Sequence, residues 1–194
     1  MRATKPRRQG GATVAEFALC VVVFFTAMFF VIEAMRAMYM WNTLQEVTRR
    51  AARAAAIGDF SDPAAMDAIR QAAVMRDSAG TLPLGTPVTD AHIRIDYLSL
   101  TRNADGSLSL TPIPAASLPA CPVRAHLNCI ANPNGASCIR FVRVRLCAPG
   151  GAGCDAVNYE PLFPLTGIRH ALSQATTIAK AESLGYQPGA AICP

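Results

Sequence analysis

The sequence predicts an α+β protein in which a long N-terminal helix crosses a membrane and a small antiparallel sheet domain follows it, with short helices and disulfide-bonded loops. An apolar run without charged residues lies near the N-terminus, and two-residue alternation of apolar and polar side chains appears in the second half. Six of the seven cysteines follow residue 120. A chain of 194 residues has room for one membrane element and one modest domain.

The apolar run extends from Phe17 to Ile32. At 1.5 Å per residue it covers roughly 24 Å, which is short of a bilayer core of about 30 Å. Continuing the helix to Met40 gives enough length and includes Glu33 and Arg36. Their i,i+3 spacing predicts an ion pair on one helix face at the membrane edge.

The flanks of this run predict its orientation. Tyr39 and Trp41 stand where an interfacial aromatic belt is expected. The first eleven residues contain no acidic side chain to offset their four basic ones, which are Arg2, Lys5, Arg7 and Arg8. The positive-inside rule therefore predicts a cytoplasmic N-terminus and an exported remainder.

A cleaved secretory signal is the alternative to a retained span. Such a signal has a small-residue cleavage site after its apolar core. Here Glu33-Ala34-Met35-Arg36 follows instead, within a pattern that continues as helix. The sequence therefore favours a retained span.

Glu16 lies between the basic flank and the apolar run. A carboxylate costs about 2.5–3.5 kcal/mol at the centre of a span and less at its edge, so it usually has a partner. Cleavage after Gly11 would make Ala12 a free amine and Glu16 the fifth residue. Glu16 could then neutralise its own N-terminus or that of a neighbouring helix.

The segment Gly11 to Phe17, GATVAEF, resembles a prepilin peptidase site: a glycine, four residues, a glutamate and a hydrophobic span. The wider stretch resembles the TadE-like pseudopilin (minor pilin) family of tight-adherence, Flp-type pilus systems. It includes Ile32 to Arg36 (IEAMR) and Ala51 to Ala54 (AARA). A weaker similarity to the family's ending appears at Tyr159 to Leu165 (YEPLFPL) and at residues 179–182 (AKAE).

The resemblance implies a leader over residues 1–11, a transmembrane and extended pilin-like helix over 12–57, and an exported periplasmic α+β domain over 58–194. Prepilin peptidase would cut between Gly11 and Ala12, and Glu16 would serve assembly. The doubled glycine at Gly10-Gly11 leaves cleavage after Gly10 open. The implied partners are the peptidase, other pilins or pseudopilins, and the assembly platform of a bacterial inner membrane.

Three helices are expected in the exported part. The first continues the span through residues 42–57, with Arg49, Arg50 and Arg53 on its wetter side. A second begins at Ser61-Asp62-Pro63, a capping residue followed by proline, and runs to about Arg76. A third is expected from Gly167 to Leu184.

Alternation predicts three strands of a sheet with one wet face. Ile93, Ile95 and Tyr97 mark the first, and residues 107–111 form the second after a turn at 103–106. The third covers residues 139–146. Residues 78–87 and 111–122 are expected to be loops.

Six cysteines in an exported domain predict three disulfides, for which fifteen pairings exist: Cys121, Cys129, Cys138, Cys147, Cys154 and Cys193. The third strand would hold Cys138 and Cys147 roughly 30 Å apart, beyond bonding reach. Short polar loops favour Cys129–Cys138 and Cys147–Cys154, which leaves Cys121–Cys193. Cys20, inside the span, is interpreted as an apolar filler.

Zinc is the competing interpretation of these cysteines, but no Cys-x-x-Cys pair occurs. His92, His126 and His170 are scattered, and only His126 lies between cysteines. No nucleophile elbow, metalloprotease motif or phosphate loop is present. We therefore expect no metal, no cofactor, no small-molecule substrate and no enzymatic activity.

The formal charge of +5 does not indicate nucleic acid binding, because residues 1–11 contribute four basic and no acidic residues. The mature chain would be near +1. Two hypotheses remain: a pseudopilin assembled through its helix, or a single-pass anchored binding domain that is neither cleaved nor polymerised. The mature N-terminus distinguishes them.

Overall fold

The computed structural model describes residues 12–151, 153–163 and 170–193. One helix, α1 (Ala12–Ile57), contains 46 residues, and its C-terminal half packs on one face of a four-stranded sheet. The predicted α+β class, with a long apolar helix preceding a small antiparallel sheet, is confirmed.

The C-terminal half of α1 forms the centre of the core. Its buried side chains recur at three- and four-residue steps, which places them along one helical face. They include Met40, Leu44, Val47, Ala51 and Ala55. Arg49, Arg50 and Arg53 lie on the exposed side, as the sequence predicted. Helix α1 ends at Ile57, directly before Gly58.

Helix α2 (Pro63–Ala73) packs against α1. Asp62 caps it by accepting a hydrogen bond from the Ala64 amide, 2.9 Å long, and Pro63 occupies the first turn. The helix ends before the predicted Arg76 because Met75 adopts a left-handed backbone conformation with φ 59°.

The sheet contains β1 (Ile93–Arg102), β2 (Leu108–Pro112), β3 (Phe141–Leu146) and β4 (Thr176–Lys180) in the order β2-β1-β3-β4. All neighbouring strands are antiparallel. Alternate residues of β1 and β3, among them Ile93, Tyr97 and Val144, point towards α1 and are buried. Short 3₁₀ turns occur at 90–92 and 115–117.

The predicted C-terminal helix from Gly167 to Leu184 is wrong. Residues 176–180 form β4, and residues 164–169, including Gly167, lie outside the described residues. Thr176, Thr177 and Ile178 are β-branched and fit a strand, and pairing with β3 outweighs their weak helical periodicity.

A short helix was missed in the proline-rich region before the third strand. Helix α3 (Pro122–Ala131) begins at Pro122, the last residue of the stretch predicted to be irregular. Proline is favoured in the first turn of a helix because its missing N–H would have no partner there. The same proline was interpreted as a loop residue because its neighbours include several others.

Candidate functional site

The N-terminal half of α1, residues 12–32, projects from the domain with most of its apolar surface uncovered by the described chain, although the Phe29 ring packs on the Phe163 ring with centroids 4.4 Å apart. Phe17 is 71% exposed, Phe24 64% and Phe30 64%. The most apolar 18-residue window of this helix has a mean hydropathy of 2.5 and no buried residue. By length and composition this helix could cross a membrane.

The predicted processing site lies at the start of this projecting half. Helix α1 begins at Ala12, whose side chain lies outside the described residues, as does all of Gly11. Glu16 lies one turn into the helix and is exposed, at the same end as the exposed apolar surface. The pairing of Glu16 with an amine stays a prediction.

Arg36 marks the point where α1 enters the domain. It is 8% exposed, and its guanidinium donates to three backbone carbonyls. Nε contacts Leu84 O at 3.1 Å, Nη2 contacts Thr86 O at 2.8 Å, and Nη1 contacts Glu160 O at 2.6 Å. One side chain thus ties two distant loops to the helix, with charge-assisted hydrogen bonds.

Glu33 lies one turn before Arg36 and binds the second of these loops. Its carboxylate accepts from the Tyr159 hydroxyl and, at 3.1 Å, from the Leu162 amide. Tyr159 also accepts from Arg36 Nη1 at 3.2 Å. Burial, then the hydrogen bond to the Glu33 carboxylate, raises the pKa of the Tyr159 hydroxyl, which therefore stays protonated and donating.

Glu33 and Arg36 do approach each other, with Oε1 and Nη1 3.7 Å apart. The sequence predicted this mutual pair but missed that both residues bind loops more closely than each other. We name Glu33, Arg36 and Tyr159 the helix clamp. Tyr159 opens the segment that resembled the family's ending, and that similarity was the available signal for a partner of the helix.

Residues 11–53 match the family model described as TadE-like protein. The N-terminal segment is TadE-like. The resemblance predicted from the sequence is confirmed over this segment. No curated protein and no solved structure matches the chain.

The matched segment includes Glu16 and the two clamp residues of α1, Glu33 and Arg36. It ends at residue 53, four residues before the end of α1. Both halves of α1, projecting and buried, therefore belong to the matched region. The sheet, α2, α3 and the loops that Arg36 binds lie beyond it.

Three disulfides fix the loops of the domain: Cys121–Cys193, Cys129–Cys138 and Cys147–Cys154. These are the three pairs that the sequence favoured. The first joins Cys121, at the start of α3, to Cys193 near the C-terminus, 72 residues later. Cys20 is a free cysteine, exposed on the projecting half of α1.

The histidines make local contacts. His92 Nδ1 accepts from the Thr89 amide at 3.0 Å, and the His126 ring stacks on Tyr186 with centroids 4.4 Å apart. His170 lines an apolar groove of about 290 Å³ beside Ala34 and Trp41. Across the described ranges, no group of three or more His, Cys, Asp or Glu side chains is placed to hold a metal ion.

Proposed function

We propose that this chain is a pseudopilin or minor pilin of a tight-adherence, Flp-type pilus or related secretion system. It is a structural subunit without catalytic activity, made as a precursor and cut after Gly11 by prepilin peptidase. It spans the bacterial inner membrane once, with its N-terminus cytoplasmic and its domain periplasmic. After cleavage it assembles through its N-terminal helix on the inner-membrane platform and supports pilus biogenesis and adherence.

The observation that carries this proposal is the division of α1 into an exposed apolar half and a buried half. The exposed half cannot remain in water, because contiguous exposed apolar surface of this size drives association with lipid or protein. The helix clamp fixes the direction of the projecting half relative to the domain. Neighbouring helices can therefore replace lipid around it without rearrangement of the domain.

Glu16 gives this transfer a specific contact. Inside an apolar assembly a lone carboxylate is costly, and so is a lone amine. Pairing the Ala12 amine of one subunit with Glu16 of a neighbour removes both costs. We infer that this pair forms during assembly, once cleavage has created the amine.

The cleavage step is tested with Gly11→Ala, expressed with an active prepilin peptidase, and intact mass measured on the membrane fraction. Gly11→Ala should retain residues 1–11, whereas Gly10→Ala, the matched control, should still be cut. A wild-type chain that begins at Met1 under these conditions would end the processing proposal and favour the uncleaved anchored domain.

The pairing step is tested with Glu16→Ala and with the conservative Glu16→Asp. Both should be cleaved, because the peptidase acts on the glycine junction. Incorporation into sheared pili, measured by quantitative mass spectrometry, should be lost in Glu16→Ala and partly kept in Glu16→Asp. Normal incorporation of Glu16→Ala would contradict the pairing role.

A further inference from the structure

The face of the sheet that points away from α1 concentrates positive charge. The strand register places five basic residues on this face: Arg94, Arg102, Arg143, Arg145 and Lys180. Within the four strands, the one acidic side chain is Asp96, on the same face. We call this set the basic face. Its net charge is +4, and Arg102 and Lys180 are exposed.

Asp96 organises the centre of the basic face. Its Oδ2 accepts from Arg143 Nη2 at 3.0 Å and from Arg145 Nη2 at 2.7 Å, while Oδ1 lies 3.2 Å from Arg94 Nε. Burial raises the pKa of this carboxyl, but the Arg145 and Arg143 guanidiniums outweigh burial and hold the pKa below its usual range. The arginines are thus fixed in place, with an excess of positive charge.

An acidic region lies on the helix side of the domain. Residues 59–90 contain two basic residues, Arg70 and Arg76, and five acidic residues, for a net charge of −3. Three of the acidic side chains are exposed: Asp62, Asp67 and Asp77. We call residues 59–90 the acidic region. Without residues 1–11 the chain carries about +1.

The two surfaces belong to different layers of the domain. Met66 of α2 accepts a hydrogen bond at Sδ from the Tyr97 hydroxyl, 3.4 Å long, and Tyr97 points to the same side of the sheet as α1. Helix α2 therefore lies on the side of the sheet opposite to the basic face. Two complementary surfaces in different layers of one subunit suit a head-to-tail contact between copies.

Exposed apolar side chains on the basic face favour a protein partner over a polyanion. The register places Leu108, Leu110 and Ile178 among the basic residues, and their exposures are 62%, 42% and 49%. Arginine is enriched at protein interfaces, and the buried core of an interface is more apolar than the rest of the surface. A nucleic acid or an anionic polysaccharide would leave these three side chains without apolar contact.

We propose that the basic face of one copy of this chain binds the acidic region of the next copy, head to tail. The contact goes beyond the proposed function, because it joins exported domains and needs neither cleavage nor helix assembly. A heterologous contact of this kind repeats along a row of subunits or closes into a ring. Its charge makes it sensitive to salt.

The test uses the full chain in detergent micelles, which cover the apolar helix, and sedimentation velocity at about 0.05 M and about 0.5 M salt. Variant A carries Arg102→Glu and Lys180→Glu, which brings the net charge of the basic face to zero. Variant B carries Asp67→Lys and Asp77→Lys, which brings the acidic region to +1. Asp96 and the capping Asp62 remain untouched because their hydrogen bonds support the fold, and Asp67→Lys removes a solvent-exposed pair with Arg70.

Wild-type chains should associate at low salt and dissociate at high salt. Each variant alone should self-associate at least about tenfold more weakly, because one of its two surfaces has lost its opposite charge. An equimolar mixture of A and B should recover association into A–B pairs, because the unaltered acidic region of A can bind the unaltered basic face of B. Arg49→Glu with Arg53→Glu, exposed changes of equal charge on α1, should behave like wild type.

Wild-type chains that stay monomeric at low salt would overturn the proposal and direct attention to a different acidic partner. So would a mixture of A and B that associates no better than either variant alone. Neither result bears on cleavage after Gly11, which intact mass measures separately.

Discussion

The two halves of α1 have similar helical backbones and opposite surroundings. Before Glu33 the apolar side chains face outward on nearly all sides, whereas beyond Arg36 they form one buried stripe against the sheet. The buried half is stabilised within its own chain. The projecting half has most of its apolar surface uncovered by the described chain, so a substitution should affect the domain mainly on the buried side of the clamp.

The residue composition of the two halves explains this difference. The projecting half contains large apolar side chains around its whole circumference. Such a helix suits an environment that is apolar on every side. The buried half places alanines such as Ala51, Ala52 and Ala55 where the sheet approaches, with zero exposure at each. Small side chains allow close packing of a helix on a sheet, and the arginines beyond them keep the opposite side in water.

The largest effect is expected at the boundary between the halves. Arg36→Ala would leave the carbonyls of Leu84, Thr86 and Glu160 without their donor and Glu33 without its counter-charge. Breaking a buried ionic network in this way costs about 3–5 kcal/mol of unfolding free energy. Thermal and denaturant unfolding of the full chain in detergent, followed by circular dichroism, measures the loss.

The matched control is Arg53→Ala, an exposed arginine on the same helix. Its effect should stay within about 0.5 kcal/mol. Arg36→Lys keeps the charge but not the planar fork, so its stability should fall between the two. Equal stability of Arg36→Ala and Arg53→Ala would show that the clamp does not hold the helix to the domain.

Tyr159→Phe tests the clamp without removing charge. The variant loses the hydroxyl that joins Glu33 and Arg36. It keeps the aromatic ring, whose centroid lies 5.0 Å from Arg36 Cζ. A hydrogen bond to charged groups contributes about 1.5–3 kcal/mol, and we expect a loss in that range. Tyr186→Phe is the control, since that ring stacks on His126 at a distance from the helix. Equal losses in both variants would assign the effect to tyrosine hydroxyls in general.

Sequence reasoning succeeded where neighbouring residues decide the structure. The length of α1, the Asp62 cap of α2 and the alternation in β1 are local patterns, and the structure has each of them. The partners of Arg36 in the two loops are 48 to 124 residues away, so no local pattern reveals them. Strand β4 forms because its backbone pairs with the edge of β3. Its five residues are too few for the alternation of apolar and polar side chains to predict that pairing.

A matched pair of alanines compares the two halves of α1 directly. Ala51 has no exposed surface, so Ala51→Leu adds volume to a filled core and should cost about 1–3 kcal/mol. Ala27 is exposed in the projecting half, so Ala27→Leu should leave domain unfolding unchanged. Both variants are measured by the same denaturant titration in detergent. A loss of domain stability in Ala27→Leu would show that the projecting half packs on the domain around Ala27 as well as at Phe29.

The smallest expected effect is a pH dependence that belongs to the domain alone. Burial lowers the pKa of His92, against an opposing effect of the nearby Asp90 carboxylate. The folded state therefore holds this proton less tightly than the unfolded state, whose histidine titrates near 6.5. The contribution of His92 is present above about pH 6.5 and is lost as the pH falls through the lower folded pKa, with a slope of at most about 1.4 kcal/mol per pH unit.

His92→Asn isolates this contribution, because the asparagine oxygen can accept from the Thr89 amide as Nδ1 does but does not titrate. The free energy of unfolding of the wild type should fall below pH 6.5 more steeply than that of the variant. His126→Asn, which removes the stacked histidine, should keep the wild-type slope. If His92→Asn and wild type run parallel from about pH 7 to about pH 5, protonation of His92 does not destabilise the domain.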